Sequence, residues 1–95
     1  MYLIYDYQEE TFWLVYDLVA LYWIAKGDHS NAIECFRISL HFASNEYTSS
    51  PLIGLAYTLL LNGYVDDAIT VANAALQTDK DNQVCLNILR IICFN

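Results

Sequence analysis

VALYWIAKGDHSNAI (residues 19–33) and LAYTLLLNGYVDDAI (residues 55–69) are one passage written twice, 36 residues apart. Gly27 recurs as Gly63, Ala32 as Ala68, Ile33 as Ile69, Val19 as Leu55 and Ala20 as Ala56. In both copies an apolar stretch runs into a glycine-centred break, Lys26-Gly27-Asp28 or Asn62-Gly63-Tyr64, and a second apolar-periodic stretch follows. Self-similarity at a fixed period of this length marks a stacked helical repeat. The broad class of function that follows is binding.

Working outward, five helices are readable. The first is expected from about Glu9 to Lys26, with Glu9 and Glu10 in the first turn, where they suit the helix dipole, and Gly27 just past the end. The second runs from about Ser30 to Ala43, its apolar positions Ala32, Ile33, Phe36, Leu40 and Ala43 keeping helical spacing. Ser50-Pro51 reads as a helix start, because serine can cap the orphan amides and proline at the first helical position loses no bond. That third helix ends at Asn62 before Gly63; the fourth spans Val65 to Thr78, opening on Asp66 and Asp67. Asp79-Lys-Asp-Asn is a polar hinge, and a fifth helix begins at Gln83. Valine, isoleucine and tyrosine are plentiful enough to raise β structure. The stripe Ala68, Ala72, Ala75, Leu76 has helical rather than alternating spacing and decides for helix.

The 95 residues make one domain or part of one, and 57% of them are hydrophobic, too apolar for disorder. Eleven acidic and four basic residues give a net charge of −7, and Lys26, Arg37, Lys80 and Arg90 are scattered. Nucleic-acid binding leans on a basic footprint that is absent here. Phe12 to Ala25 is interrupted only by Asp17, but it would span roughly 21 Å, short of a hydrocarbon core of about 30 Å. A helix buried on two sides accounts for it better than a membrane span. The N-terminus lacks a positive region and a small-residue cleavage site, so it does not read as a secretory signal. Cys35, Cys85 and Cys93 form no CxxC and are expected as reduced thiols of a cytoplasmic protein.

Two helices pack closely only where side chains are small. Ala20 and Ala56 lie mid-way along the first helix of each pair, Ala32 and Ala68 early in the second, with Trp23, Phe36, Leu55 and Leu59 as the bulky neighbours. The pattern Tyr16, Val19, Ala20, Trp23, Gly27, Ala32, Phe36, Ser39, repeated as Leu52, Leu55, Ala56, Leu59, Gly63, Ala68, Ala72, Ala75, resembles the tetratricopeptide repeat. A third copy begins with Leu86, Leu89 and Cys93. Departures are Ser39 for the usual alanine, Ala72 for the usual aromatic, Lys80 for a proline, and Arg90 where a small residue is due. The 36-residue spacing puts two extra residues into the Ser44–Ser50 connection relative to the family's usual 34. The resemblance implies an all-α fold of about two and a half antiparallel hairpins stacked as a short right-handed solenoid. Its units are repeat one (13–46), repeat two (49–82) and a partial third (83–95). The runs 32–43, 51–56 and 66–72 also resemble one large multi-repeat member of the family, which implies a scaffold linked to actin organisation and cilium assembly.

Some members of this family grip acidic chaperone tails with a clamp of cations on the first helices. The matching positions here are Asp17, Leu21, Gly54, Val84 and Ile88, none of them cationic, so such tails are not expected to bind. The inner face carries instead Leu14, Leu21, Ile24, Ile53, Tyr57, Leu60 and Leu61, with Asp17 as a polar interruption. That surface suits a protein partner presenting an apolar helix or extended segment. The competing expectation is that it packs on further repeats of a longer chain or self-associates, because a terminal repeat needs a polar outer face and Ile91-Ile-Cys-Phe94 is the opposite. The segment would then be a purely structural interior piece of a solenoid.

Chemistry is thin. His29 falls in a turn, Cys35 and His41 lie on different faces of one helix, and no three or four ligands converge, so no enzyme, metal or cofactor is expected. A small-molecule or enzyme reading would need a closed pocket with converging polar groups. Tyr2, Tyr5 and Tyr7 precede the expected first helix and read as a cover for the flank of the first pair, the alternative being a sticky disordered leader.

Overall fold

The computed structural model describes the backbone of residues 2–94 and the side chains of residues 11–91. Five α-helices follow one another: α1 (Tyr2–Ala25), α2 (His29–Phe42), α3 (Ser49–Leu61), α4 (Val65–Thr78) and α5 (Gln83–Phe94). A 3-10 turn, Asn45–Tyr47, lies between α2 and α3, and no strand occurs among the described residues. Helix α1 packs chiefly on α2 and α3 on α4; the pairs meet where α2 packs on α3, and α5 packs on α4. The assembly measures 50 × 30 × 17 Å, the slab expected of hairpins added side by side.

Both hairpin turns close the same way. Gly27 (φ 81°) and Gly63 (φ 87°) adopt the left-handed conformation that ends a helix without a Cβ penalty. The amides of Asp28 and Tyr64 reach back to the carbonyls of Trp23 and Leu59 at 2.9 Å, and those of Gly27 and Gly63 to Ile24 and Leu60. Helix α2 then starts one residue earlier than expected because Asp28 caps it, its carboxylate accepting from the Asn31 amide at 3.1 Å and the Asn31 side chain at 2.7 Å.

Two further sequence expectations about helix starts are corrected. Helix α1 runs back to Tyr2, so Glu9 and Glu10 lie inside the helix rather than in its first turn, and Tyr2, Tyr5 and Tyr7 are helical. The cover those tyrosines were expected to give falls outside the described side chains. Helix α3 begins at Ser49, with no side-chain cap at Thr48. The Ser50 hydroxyl is not free to cap, because it donates to Asp17 Oδ2 at 2.8 Å.

The extra length between the pairs is taken up by the 3-10 turn, which brings Tyr47 to stack on Trp13 at 5.2 Å. Phe42 meets Phe12 edge-on at 5.3 Å and Tyr16 face-on at 6.2 Å, so aromatic rings fasten α1 to the end of α2 and the connection after it. Ala20, Ala32, Ala56 and Ala68 are fully buried, as close helix packing demands. Ser39 and Ala72, where the repeat pattern departs from its usual residues, are fully buried as well. The Ser39 hydroxyl donates to the carbonyl of Trp13, which removes the cost of burying it. The core falls into two clusters, one of Ala20, Phe36 and Leu55, the other of Ala56, Ala72 and Ile88.

Candidate binding faces

Helices α1 and α3 run alongside one another and touch. Of the expected face, Leu14 (41%), Leu21 (51%), Tyr57 (46%) and Leu61 (45%) are exposed. Ile24 is half-buried against the first core cluster, and Ile53 and Leu60 against the second. They brace the face more than they offer it. Asp17 is buried at the seam between the two helices, one carboxylate oxygen held by Ser50 and the other, Oδ1, without a partner. Burial pushes its pKa above the usual carboxylate value, with the Ser50 hydrogen bond pulling weakly the other way. Two further positions on the expected clamp surface are also closed. Gly54 lies under the Phe36 ring, and Ile88 is packed with Ala72 and Ala56.

A second concavity lies on the opposite side, between α2 and α4. It is open to solvent, with a volume of about 530 Å³. Leu55 and Leu59 of α3 form its floor, and Ile33, Leu40 and Val71 its walls. Arg37 and His41 stand on the α2 rim, Asp67 and Thr70 on the α4 rim. Sequence reading missed this groove, although Ile33, Arg37, Leu40 and His41 fall at i, i+4, i+7 and i+8 on one side of α2. What was not visible is that α4 stands far enough away to leave the floor open.

The residues with acid–base or metal potential do not converge. His29 Nδ1 lies 3.4 Å from Asn62 Oδ1 at the surface, and His41 meets the Phe42 ring edge-on at 5.2 Å. Cys35 and Cys85 are free thiols. Burial raises the pKa of both, Glu34 adding to the effect at Cys35 and Asp79 at Cys85, so both are held protonated. No group of three His, Cys, Asp or Glu side chains able to hold a metal occurs among the described residues. None of the described helices is long and apolar enough to cross a membrane.

The paired helices, the glycine turns and the buried alanines invite comparison with known proteins. Tetratricopeptide repeat protein 17 of Homo sapiens and of Rattus norvegicus are each 37% identical to this chain over 70 residues, and that of Danio rerio is 36% identical. The chain is a tetratricopeptide-like repeat segment. The matched stretch covers 74% of it and 6% of each of these relatives, so the chain spans a small part of their length. No protein-family model matches the chain, and no solved structure matches it.

Proposed function

We propose that the chain is a non-catalytic protein–protein interaction segment whose α1–α3 face receives an apolar helix or extended segment of a partner. The observation that carries this reading is the row of exposed apolar side chains Leu14, Leu21, Tyr57 and Leu61 on two adjoining helices. An aromatic and three leucines, with few charges among them, are the kind of anchors from which binding energy comes. The relatives' name, which denotes a repeat protein and no reaction, supports the same class of function.

The proposal extends to the repeat limits (13–46, 49–82 and a partial third at 83–95), to a right-handed stack and to a cytoplasmic setting. The likeness to tetratricopeptide repeat protein 17 adds a role in actin organisation and cilium assembly as the finer part of the reading. Unchanged actin and ciliation after removal of the protein would take away that part alone.

Crosslinking and capture from cells test the main reading, comparing the chain with Leu21→Ser and Tyr57→Ser variants. Both positions are exposed, so the variants should melt with the parent and lose captured partners. Capture that survives both substitutions would reject the face.

A further inference from the structure

The groove between α2 and α4 lies apart from the α1–α3 face, and its two rims differ in sign. Leu55 and Leu59, one turn apart on α3, make the floor. Arg37 and His41 stand on α2, in its third and last turns, and Asp67 stands in the first turn of α4. Short connections make α2 and α4 each antiparallel to the α3 between them, so the two run the same way. Their first residues, His29 and Val65, are one 36-residue repeat apart. Arg37 and His41 therefore lie two to three turns, roughly 9–15 Å, farther along the groove than Asp67.

Both charges are available to an incoming chain. The contact of Arg37 with Glu34 is 3.7 Å long, between side chains that are 67% and 63% exposed, and water weakens such a pair. Asp67 takes part in no ion pair among the described residues. The complementary occupant has an apolar side for the floor, a carboxylate for Arg37 and a cation for Asp67. An open trough between two helices suits a third helix, whose side chains at i, i+3, i+4 and i+7 enter it together. A small ligand would lie largely uncovered there, whereas small-molecule sites enclose most of their ligand.

This chain does not itself supply that helix, so a second copy does not fit. Helices α1 and α4 carry no cation, α3 no charge and α5 no acid. In α2, Glu34 and Arg37 face each other. A further hairpin would join the stack beside α1 or α5 and leave this flank open. We propose that the α2–α4 groove receives one helix of a separate protein, apolar where it meets Leu55 and Leu59. It presents an acidic residue to Arg37 and, two to three turns away, a lysine or arginine to Asp67.

The test measures fluorescence anisotropy of labelled peptides, held helical by a side-chain bridge, added to the full chain. The first carries a leucine stripe with one lysine and one glutamate two turns apart. The second has glutamine at both of those places, and the third has lysine at both. The first should bind saturably and the second at least fivefold more weakly. Arg37→Glu should weaken the first peptide at least fivefold and strengthen the third at least fivefold. Lys80→Glu makes the same change in net charge away from the groove, and Tyr57→Ser alters the α1–α3 face; each should move these affinities less than twofold. Arg37, Tyr57 and Lys80 are exposed, so all three variants should melt with the parent. No saturable binding of the first peptide, equal binding of the first and second, or no reversal with Arg37→Glu would overturn the proposal. So would an effect of Lys80→Glu as large as that of Arg37→Glu, or a loss with Tyr57→Ser, which would move the peptide to the other face.

Discussion

The junction between α2 and α3 and the junction between α4 and α5 fill the same space from opposite sides. In the first, Phe36 of α2 enters over Gly54 of α3; in the second, Ile88 of α5 enters over Ala72 of α4. What the repeat preserves is the bulk at the crossing, not the residue that supplies it. This is how close packing constrains a sequence, through summed volume in good geometry rather than identity.

The largest expected effect comes from breaking that exchange at the first junction. Phe36→Ala removes a ring that is 1% exposed and should cost about 3–5 kcal/mol in chemical unfolding. Gly54→Ile alone should also destabilise strongly, because its side chain lands on the ring. The double variant rebuilds the second junction's arrangement at the first, and should lose at least about 1 kcal/mol less than the two single losses added together. Strict additivity would mean that the two junctions are not equivalent. Ala72→Phe, the reverse trade at the second junction, should overpack against Ile88 and cost about 1–3 kcal/mol.

The turns give the next largest effects and divide in an informative way. Gly27→Ala and Gly63→Ala should each cost about 1–2 kcal/mol, and similarly, because both need positive φ and neither would place its Cβ within 4 Å of another group. The residue after each glycine behaves differently. Asp28→Ala deletes the cap on α2 and should cost about 1 kcal/mol. Tyr64, its counterpart, makes no side-chain cap bond on α4, so Tyr64→Ala should lose nothing of that kind. Equal losses at residues 28 and 64 in thermal melts would show that the cap bond contributes little.

What was legible in the sequence was whatever is enforced locally. Gly27, Gly63 and the alanine positions fix the turns and the close contacts, the stripe Ala68–Ala72–Ala75 decides for helix in α4, and Gly63 and the polar hinge at Asp79 bracket its limits. The beginning of α1 was not legible, because Tyr2 to Gln8 contain no breaker and the Glu9-Glu10 pair, which has the chemistry of a first turn, lies inside the helix. The start of α3 was misplaced for a different reason. Ser50 has the chemistry of a cap but spends its hydroxyl on Asp17, 33 residues away, and no local pattern records that. The groove over Leu55 and Leu59 likewise depends on the spacing of α2 and α4. Of the face expected from the repeat resemblance, Leu14, Leu21, Tyr57 and Leu61 are exposed while Ile24, Ile53 and Leu60 are half-buried against the core, a division that helical spacing does not make.

The smallest effect expected is also the one that separates the junctions by pH. Asp17 and Ser50 bond across α1 and α3; their counterparts across α3 and α5 are Ile53 and Val84, which carry no titratable group. Because burial raises the folded-state pKa of Asp17 above its unfolded value near 3.8, the folded chain holds that proton more tightly than the unfolded chain. The stability this lends is fully present below about pH 3.8 and is lost as pH rises through the raised value. Other carboxylates titrate in the same range, so the informative quantity is the difference between the parent and Asp17→Asn, whose amide oxygen still accepts from Ser50. That difference should grow in favour of the variant as pH rises from 3.8 through the raised value, then level off. An Ile53→Val control should show no such drift. A difference between the parent and Asp17→Asn that stays constant with pH would place the proton elsewhere and leave the two junctions electrostatically alike.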